Sequence, residues 1–193
     1  MRLAIFGGTF DPIHKAHVAM ARVAADQFQL DRVLIIPASN PPHKSSSTYA
    51  PYEDRLRMAE AACAGEPRFT VSRLEEGPGR SYSIDTIERV RATLGPSDEL
   101  FFLIGADAFA EMETWYRWRD VVAAVRFIVV SRPGHRYRIP EGAGVERLET
   151  VELPVSSSEI RSALAAGRRP AEIPKSVLAY IYQHGLYGVP VRA

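Results

Sequence analysis

The sequence predicts an α/β fold with a doubly wound, mainly parallel sheet, helices on both faces and a single domain over residues 1–193. Short apolar runs typical of buried strands alternate with amphipathic helical segments along the chain. The first run ends in Gly7-Gly8 and leads into a helix, as in sheets that bind nucleotides at a strand-to-helix turn. With 46% apolar and 24% charged residues, the 193-residue chain can form one well-packed core.

The order of the elements supports each part of this prediction. A strand over 2–7, a helix over 15–28 and a strand over 32–36 form a right-handed βαβ unit. Residues 38–50 show no periodic pattern and are predicted to form a loop. The later predicted elements are a helix over 51–64, a strand over 69–73, a helix over 83–94 capped by Ser83, a strand over 100–104, a helix over 120–125, strands over 127–130 and 148–153, and helices over 156–166 and 174–183.

This alternation indicates a Rossmann-like sheet whose ligands bind beyond the carboxyl ends of the strands. The C-terminal helical part, about 156–187, is expected to pack on the same domain. Four stretches are expected along the carboxyl edge of the sheet: residues 8–17, 40–44, 105–107 and 131–132.

The most informative motif spans residues 3–17. Gly7-Gly8 lets the backbone approach a ligand closely. If a helix begins near His14, then His14 and His17 share one face of its first turn, beside free N–H groups that attract a phosphate. Taken singly, these histidines and the Asp11-Pro12 pair are more often structural. Their combination predicts a catalytic nucleotide site.

A second anion site is predicted at residues 156–161, Ser-Ser-Ser-Glu-Ile-Arg. Ser156 and Glu159 have the spacing of a capping box, so a helix is expected to begin there. By itself this segment favours a well-capped helix without a ligand. Together with the first motif, the serine hydroxyls and Arg161 at a helix N-terminus favour a bound phosphate. Because two such helix starts lie at one edge, the predicted ligand is a polyphosphate, and ATP is the natural candidate.

Other polar and aromatic residues near this edge admit two interpretations each. Lys44 is either a positive group that reaches the substrate phosphates or an exposed lysine. Asp107 follows Gly105 and either caps the next helix or, as we favour, accepts hydrogen bonds from a ribose. Trp115 and Trp118 are three residues apart, so on a helix one could be core and the other exposed. An exposed tryptophan could stack on a flat heterocycle.

Composition argues against several other functions. A net charge of +1 is too small for strong electrostatic binding of DNA or RNA, so no nucleic-acid partner is expected. The single cysteine, Cys63, excludes an intrachain disulfide framework and is expected to pack as a small hydrophobe. No apolar run approaches the ~18 residues of a membrane span. With no secretory signal at the N-terminus, we expect a cytoplasmic protein that needs no membrane.

Three familiar kinds of site are also disfavoured by the motifs. Two histidines with Asp11 as the nearby carboxylate are too few for zinc, so no metal-ligating residues are predicted. The first strand is not followed by the Gly-Lys-Ser/Thr run of a P-loop. The spaced Gly-x-Gly-x-x-Gly run of nicotinamide dehydrogenases is missing as well.

These segments resemble the nucleotidyltransferase superfamily and, within it, the bacterial nicotinate-nucleotide adenylyltransferases. The superfamily carries an N-terminal His-x-x-His and a serine-rich or threonine-rich helix start that ends in arginine. The segments of this chain that match the nicotinate family, in the same order, are Gly7-Gly-Thr-Phe-Asp-Pro-Ile-His-x-x-His17, Pro41-Pro-His-Lys44, Gly105-Ala-Asp107, Thr114-Trp-Tyr116, Arg132-Pro-Gly134 and Ser156-Ser-Ser-x-Ile-Arg161. Two departures are Ala16, where the family usually has glycine, and Ser158, where it has threonine.

The resemblance implies that the phosphate of nicotinate mononucleotide attacks the α-phosphorus of ATP, with Mg²⁺ as cofactor, to give nicotinate adenine dinucleotide and pyrophosphate. The implied catalytic residues are His14, His17, Lys44 and Arg161. The residues implied to bind ATP are Gly7, Gly8, Thr9, Phe10, His17, Gly105, Asp107, Ser157, Ser158 and Arg161.

For the mononucleotide, the resemblance implies Ser83, Trp115, Tyr116 and Arg132. Trp115 would stack on the pyridine ring, and backbone N–H groups near Ser83 and Tyr116 would receive its carboxylate. Two alternatives stay open: transfer to another phosphate acceptor, such as nicotinamide mononucleotide or phosphopantetheine, and a nucleotide-binding regulator without turnover. The sequence leaves open whether the protein is a homo-oligomer.

Overall fold

The computed structural model describes residues 1–41, 50–150 and 155–191. Six strands form one sheet in the order β3-β2-β1-β4-β5-β6, and every neighbouring pair is parallel. The strands are β1 (Arg2–Gly8), β2 (Arg32–Pro37), β3 (Phe69–Val71), β4 (Glu99–Gly105), β5 (Arg126–Ser131) and β6 (Gly144–Glu149). The strand order reverses between β1 and β4, which is the switch point where such sheets bind ligands.

Helices connect the strands from β1 to β5 and follow β6, whereas the segment between β5 and β6, which is described throughout, contains no helix. They are α1 (Lys15–Gln27), α2 (Tyr52–Cys63), α3 (Ser83–Arg91), α4 (Ala106–Ala110), α5 (Trp118–Ala124), α6 (Ser157–Ala165) and α7 (Lys175–His184), with short 3₁₀ turns at Met112–Thr114 and Leu186–Gly188. Within the described part of the chain, none is long and apolar enough to cross a membrane.

Apolar residues cover both faces of the central strands, as expected for a sheet packed between two layers of helices. Phe6 of β1 belongs to a buried cluster that includes residues of α1, α6 and α7. Its neighbour Ile5 belongs to a second cluster with residues of α3 and α5 on the opposite face. The predicted doubly wound α/β fold is therefore confirmed, and the C-terminal helices share a core cluster with α1.

The last strand differs from the prediction. The sequence favoured 148–153, whereas β6 covers Gly144–Glu149, and residues 151–154 lie outside the described part. β6 is an edge strand in which only Leu148 is buried. It therefore lacks the continuous apolar run by which a central strand is recognised.

The start of α3 is a second correction. Tyr82, not Ser83, is the N-cap residue, and no side chain caps this helix. Ser83 is the first helical residue, which places its backbone N–H among the free donors of the helix start. The helix also ends earlier than predicted, at Arg91.

Candidate active site

The end of β1 presents backbone at the carboxyl edge of the sheet. Phe10 adopts a left-handed φ of +49° and turns its ring into the core, where it is 3% exposed. A Cβ placed on Gly8 would lie 2.9 Å from that ring. Gly8 is therefore required by the packing of Phe10, while the peptide groups from Gly7 to Thr9 stay accessible at the edge.

His14 and His17 stand together at the start of α1. His14 is the N-cap residue, and its ring stacks on that of His17 with 3.7 Å between the centroids. The backbone N–H of His14 donates to Nδ1 of His17 over 3.2 Å. Nδ1 of His14 is buried and has no hydrogen-bond partner among the described residues. The predicted shared face of the two histidines is confirmed.

Burial determines the protonation of both rings. It lowers the pKa of His14 to about 4, against an opposing effect of the Glu172 charge. Burial, followed by the neighbouring His14, lowers the pKa of His17 well below its ordinary value. At neutral pH the pair is therefore uncharged and offers hydrogen bonds, whereas a phosphate at this helix start would favour the charged form.

The second predicted anion site lies directly against the loop after β1. Ser156 and Glu159 form the expected capping box at the start of α6. Ser157 Oγ donates to the carbonyl oxygen of Pro12 over 3.1 Å, across 145 residues of sequence. Arg161 Nη1 donates to the carbonyl oxygen of Asp11 over 2.7 Å. Two side chains of the second motif, Ser157 and Arg161, therefore hold the loop of the first motif in place.

A cleft of about 390 Å³ lies where β4 and β5 end. Asp107 is exposed in this cleft as the second residue of α4, and Gly105 occupies the N-cap position. The capping alternative for Asp107 is therefore wrong. Arg132, which the resemblance assigned to the mononucleotide, lines this cleft together with His135.

A second cleft, of about 180 Å³, lies on the other side of β4. Trp115 packs edge-on against Phe102, with 6.1 Å between the ring centroids, and lines the cleft together with Ser83 and the end of β1. The exposed Tyr116 ring lies 4.5 Å from that of Tyr82, the residue before Ser83. Three of the four residues expected to bind the mononucleotide are therefore close together.

The two tryptophans do not share a helix. Trp115 follows a 3₁₀ turn, Trp118 begins α5, and Arg117 between them has a left-handed φ of +51°. Both rings are partly buried against the same core cluster. The expectation of one core and one exposed tryptophan fails because the chain turns between them.

Arg55 was missed by the sequence analysis. Its guanidinium is fully buried and donates to the carbonyl oxygens of Thr9 and Ala38, both over 2.7 Å, and of Ala50 over 3.1 Å. It therefore joins the loops after β1 and β2 to the start of α2. The sequence did carry a signal for a buried arginine, because Arg55 lies one helical turn before Ala59, on the apolar and buried face of α2.

Glu75 was missed as well. It lines the Trp115 cleft and accepts a hydrogen bond of 2.6 Å from the hydroxyl of Thr86 on α3. Burial raises the pKa of its carboxyl. No local pattern reveals this residue, because it lies in an irregular segment and is half-buried only through contacts made by the fold.

Some predicted features lie elsewhere or outside the described part. The expected catalytic Lys44 belongs to residues 42–49, which the structure does not describe. Ser158 is exposed near the start of α6, and Ala16 is the second residue of α1. Cys63 is buried at the end of α2, and burial raises the pKa of its thiol to about 12.

Comparison with known proteins agrees with this geometry. The profile of the cytidylyltransferase-like family matches residues 5–163. A relative from Solibacter usitatus, named as a probable nicotinate-nucleotide adenylyltransferase, is 65% identical over 187 residues, covering 97% of this chain and all of the relative. A relative of the same name from Thermus thermophilus is 44% identical over 190 residues, covering 97% of this chain and 100% of the relative.

A solved structure shows the same fold at low sequence identity. The Plasmodium falciparum nicotinic acid mononucleotide adenylyltransferase complexed with NaAD superposes with a TM-score of 0.80 at 19% identity, covering 99% of both chains. With the switch-point site, the paired histidines and the serine-rich helix start described above, the chain belongs to the cytidylyltransferase-like family and, within it, to the nicotinate-nucleotide adenylyltransferases.

Proposed function

We propose that this protein transfers the adenylyl group of ATP to the phosphate of nicotinate mononucleotide, giving nicotinate adenine dinucleotide and pyrophosphate, a step of NAD biosynthesis. The observation that carries the proposal is the meeting of two helix starts at the switch point. One presents the stacked His14 and His17, and the other contacts the same loop through Ser157 and Arg161. The 65% identical relative bears the name of this activity.

The phosphate end of the proposed site comprises the loop from Gly8 to His17 and the start of α6. A phosphate oxygen of the mononucleotide would bond to the α-phosphorus of ATP as the bond from that phosphorus to the oxygen bridging to the β-phosphorus breaks. Negative charge on the phosphate oxygens would be stabilised by the positive N-terminal end of α1, by His14 and His17, and by Arg161. Catalysis would therefore consist mainly of positioning and electrostatic stabilisation.

The ATP nucleoside would occupy the cleft at the ends of β4 and β5. Asp107 is exposed there and would accept hydrogen bonds from the ribose hydroxyls. Gly105 keeps the backbone open beside it, and Ser158 would contact the triphosphate from the start of α6. Since Arg132 lies in this cleft, we assign it to the ATP side rather than to the mononucleotide.

The pyridine end of the proposed site comprises Ser83, Trp115 and Tyr116. Trp115 would stack on the pyridine ring. The backbone N–H groups at Ser83 and Tyr116 would receive the carboxylate of the acid substrate. An amide in that place would direct its NH₂ group at these donors and leave polar groups unpaired, which favours the acid.

Mg²⁺ is proposed to enter as part of the MgATP substrate. Among the described residues, no three His, Cys, Asp or Glu side chains are grouped to hold a metal ion, and the buried Asp11 carboxylate bonds Tyr187 and Ala50. A metal ion bound to the phosphates would neutralise charge that develops on them. Chelation with EDTA is expected to lower turnover about 100-fold while thermal stability stays unchanged. Full activity in EDTA would contradict a metal requirement.

The decisive assay combines purified full-length protein and MgATP with each acceptor in turn, and follows pyrophosphate release. Release with nicotinate mononucleotide is expected to exceed release with nicotinamide mononucleotide or phosphopantetheine. No release with nicotinate mononucleotide would overturn the proposal. Pyrophosphate release with phosphopantetheine alone would establish an adenylyltransferase that acts on that acceptor. Nucleotide binding without pyrophosphate release in the presence of any acceptor would indicate a regulator.

A further inference from the structure

The carboxylate of Asp11 lies in the interior of the protein, within the loop that connects β1 to His14. Asp11 is only 3% exposed. A buried carboxylate loses its hydration, which is unfavourable unless protein donors replace the water. The identity of those donors therefore indicates what this side chain does.

Two distant segments supply donors to the same carboxylate oxygen. The Tyr187 hydroxyl donates to Oδ1 of Asp11 over 2.6 Å, across 176 residues of sequence. The backbone N–H of Ala50 donates to the same Oδ1 over 3.2 Å. Burial and the bond to Asp11 raise the pKa of Tyr187, so its hydroxyl keeps the proton that it donates.

Both backbone polar groups of Ala50 are hydrogen-bonded to side chains. Asp11 accepts from its N–H, while its carbonyl oxygen accepts from the buried guanidinium of Arg55. Arg55 also binds the carbonyl oxygen of Thr9, two residues before Asp11. The loop after β1 is therefore fixed to the start of α2 through both a side chain and the backbone.

The two segments joined by the Tyr187–Asp11 hydrogen bond both contain a residue in the left-handed region, a conformation that is unfavourable unless the surrounding structure enforces it. Phe10, directly before Asp11, has a φ of +49°, and Tyr187 has a φ of +59°. Such values are uncommon for residues other than glycine and persist where the surrounding structure enforces them. The hydrogen bond joins these two segments, so each contributes to holding the conformation of the other.

We propose that Asp11 and Tyr187 are positioning residues for adenylyl transfer: the Tyr187 hydroxyl fixes the Asp11 carboxylate and thereby the loop that carries the Phe10 backbone and His14. This inference rests on the proposed function for its kinetic readout. Neither side chain is assigned a contact with substrate. Asp11 is buried among protein donors, and Tyr187 acts through it.

The chain offers a matched control on the same C-terminal segment. The Tyr180 hydroxyl donates to Oδ1 of Asp54 over 2.9 Å and is also partly buried. Replacing either tyrosine by phenylalanine removes one tyrosine–carboxylate hydrogen bond. Only the bond of Tyr187 reaches the loop before His14.

The test measures kcat and both KM values for wild type, Tyr187→Phe and Tyr180→Phe, alongside thermal stability. Tyr187→Phe is expected to lower kcat about tenfold, the effect of losing a hydrogen bond to a charged group, with both KM values changed less than about threefold. Tyr180→Phe is expected to change kcat less than about twofold with a comparable loss of stability. Unchanged kcat in Tyr187→Phe, or equal losses in both variants, would overturn the inference.

A double-mutant cycle tests whether Tyr187 acts through Asp11. Asp11→Asn keeps an acceptor and nearly the same size but removes the charge. If the two residues form one unit, Asp11→Asn combined with Tyr187→Phe lowers kcat by much less than the product of the single effects. Independent, multiplying effects would contradict the inference.

An NMR measurement separates this inference from the proposed function. The ring resonances of His14 and His17 are expected to shift in Tyr187→Phe but not in Tyr180→Phe, without any substrate present. If wild type releases no pyrophosphate with nicotinate mononucleotide, the proposed function fails. The histidine resonances still test whether Tyr187 positions the loop that carries His14. Unshifted histidine rings in Tyr187→Phe would overturn it.

Discussion

At the proposed phosphate end, the loop from Gly8 to His17 is held by groups that are themselves buried, among them the Phe10 ring, the Asp11 carboxylate and Arg55. At the proposed pyridine end, the rings of Tyr116 and of Tyr82, the N-cap residue of α3, meet near the surface, and Tyr116 is 54% exposed. A loop that positions reacting phosphates must resist displacement. A surface that binds a flat ring needs instead an aromatic face for stacking and a few hydrogen-bond donors. The two ends should therefore respond differently to substitution.

The largest expected difference comes from removing a histidine at the phosphate end. His17→Ala is expected to lower kcat about 100- to 1,000-fold, because the donor that we propose stabilises the transition state is lost. The free energy of unfolding should fall by only about 1 kcal/mol, the typical effect of a lost capping interaction. Steady-state kinetics and chemical denaturation measure the two quantities. The exposed His184 provides the control, and similar kinetic losses in His184→Ala would refute a special role for His17.

Acid should destabilise the protein through His14 at the proposed phosphate end. Because burial lowers the pKa of His14 from 6.5 to about 4, the unfolded chain binds a proton at a higher pH than the folded one. The stability supplied by neutral His14 is therefore complete above pH 6.5 and is lost as the pH falls towards 4, by about 3 kcal/mol in total.

Denaturation curves at several pH values check this expectation. The free energy of unfolding of wild type should fall relative to that of His14→Asn as the pH drops from 6.5 to 4, since the variant lacks the titrating ring. A His14→Asn curve parallel to that of wild type would contradict the effect of burial.

The smallest expected effect belongs to the pyridine end. Trp115→Ala should raise KM for nicotinate mononucleotide about tenfold, as expected when a stacking ring is removed, and leave KM for ATP within about twofold. Trp118→Ala should lower stability to a similar extent, since both rings pack on the same core cluster, yet leave both KM values nearly unchanged. Equal kinetic effects of the two substitutions would show that Trp115 is merely structural.

Much of the site could be predicted because its signals are local. Gly7-Gly8, the spacing of His14 and His17, and the capping box at Ser156 each depend on residues within one turn. Continuous apolar runs likewise located the central strands. The predicted position of the edge strand β6 was wrong, because only Leu148 of that strand is buried and no apolar run marks it. Arg55 left a partial signal as a charge on an apolar helix face.

The sequence by itself determined the α/β class, the order of the elements and the two motifs at helix starts, because periodicity and capping are properties of short segments. Only the tertiary structure brought Tyr187 to Asp11, across 176 residues, and placed Arg132 in a different cleft from Ser83 and Trp115. It also decided that His14 is buried and therefore neutral at neutral pH. Burial and long-range hydrogen bonds depend on which segments meet when the core closes, and no local pattern specifies that meeting.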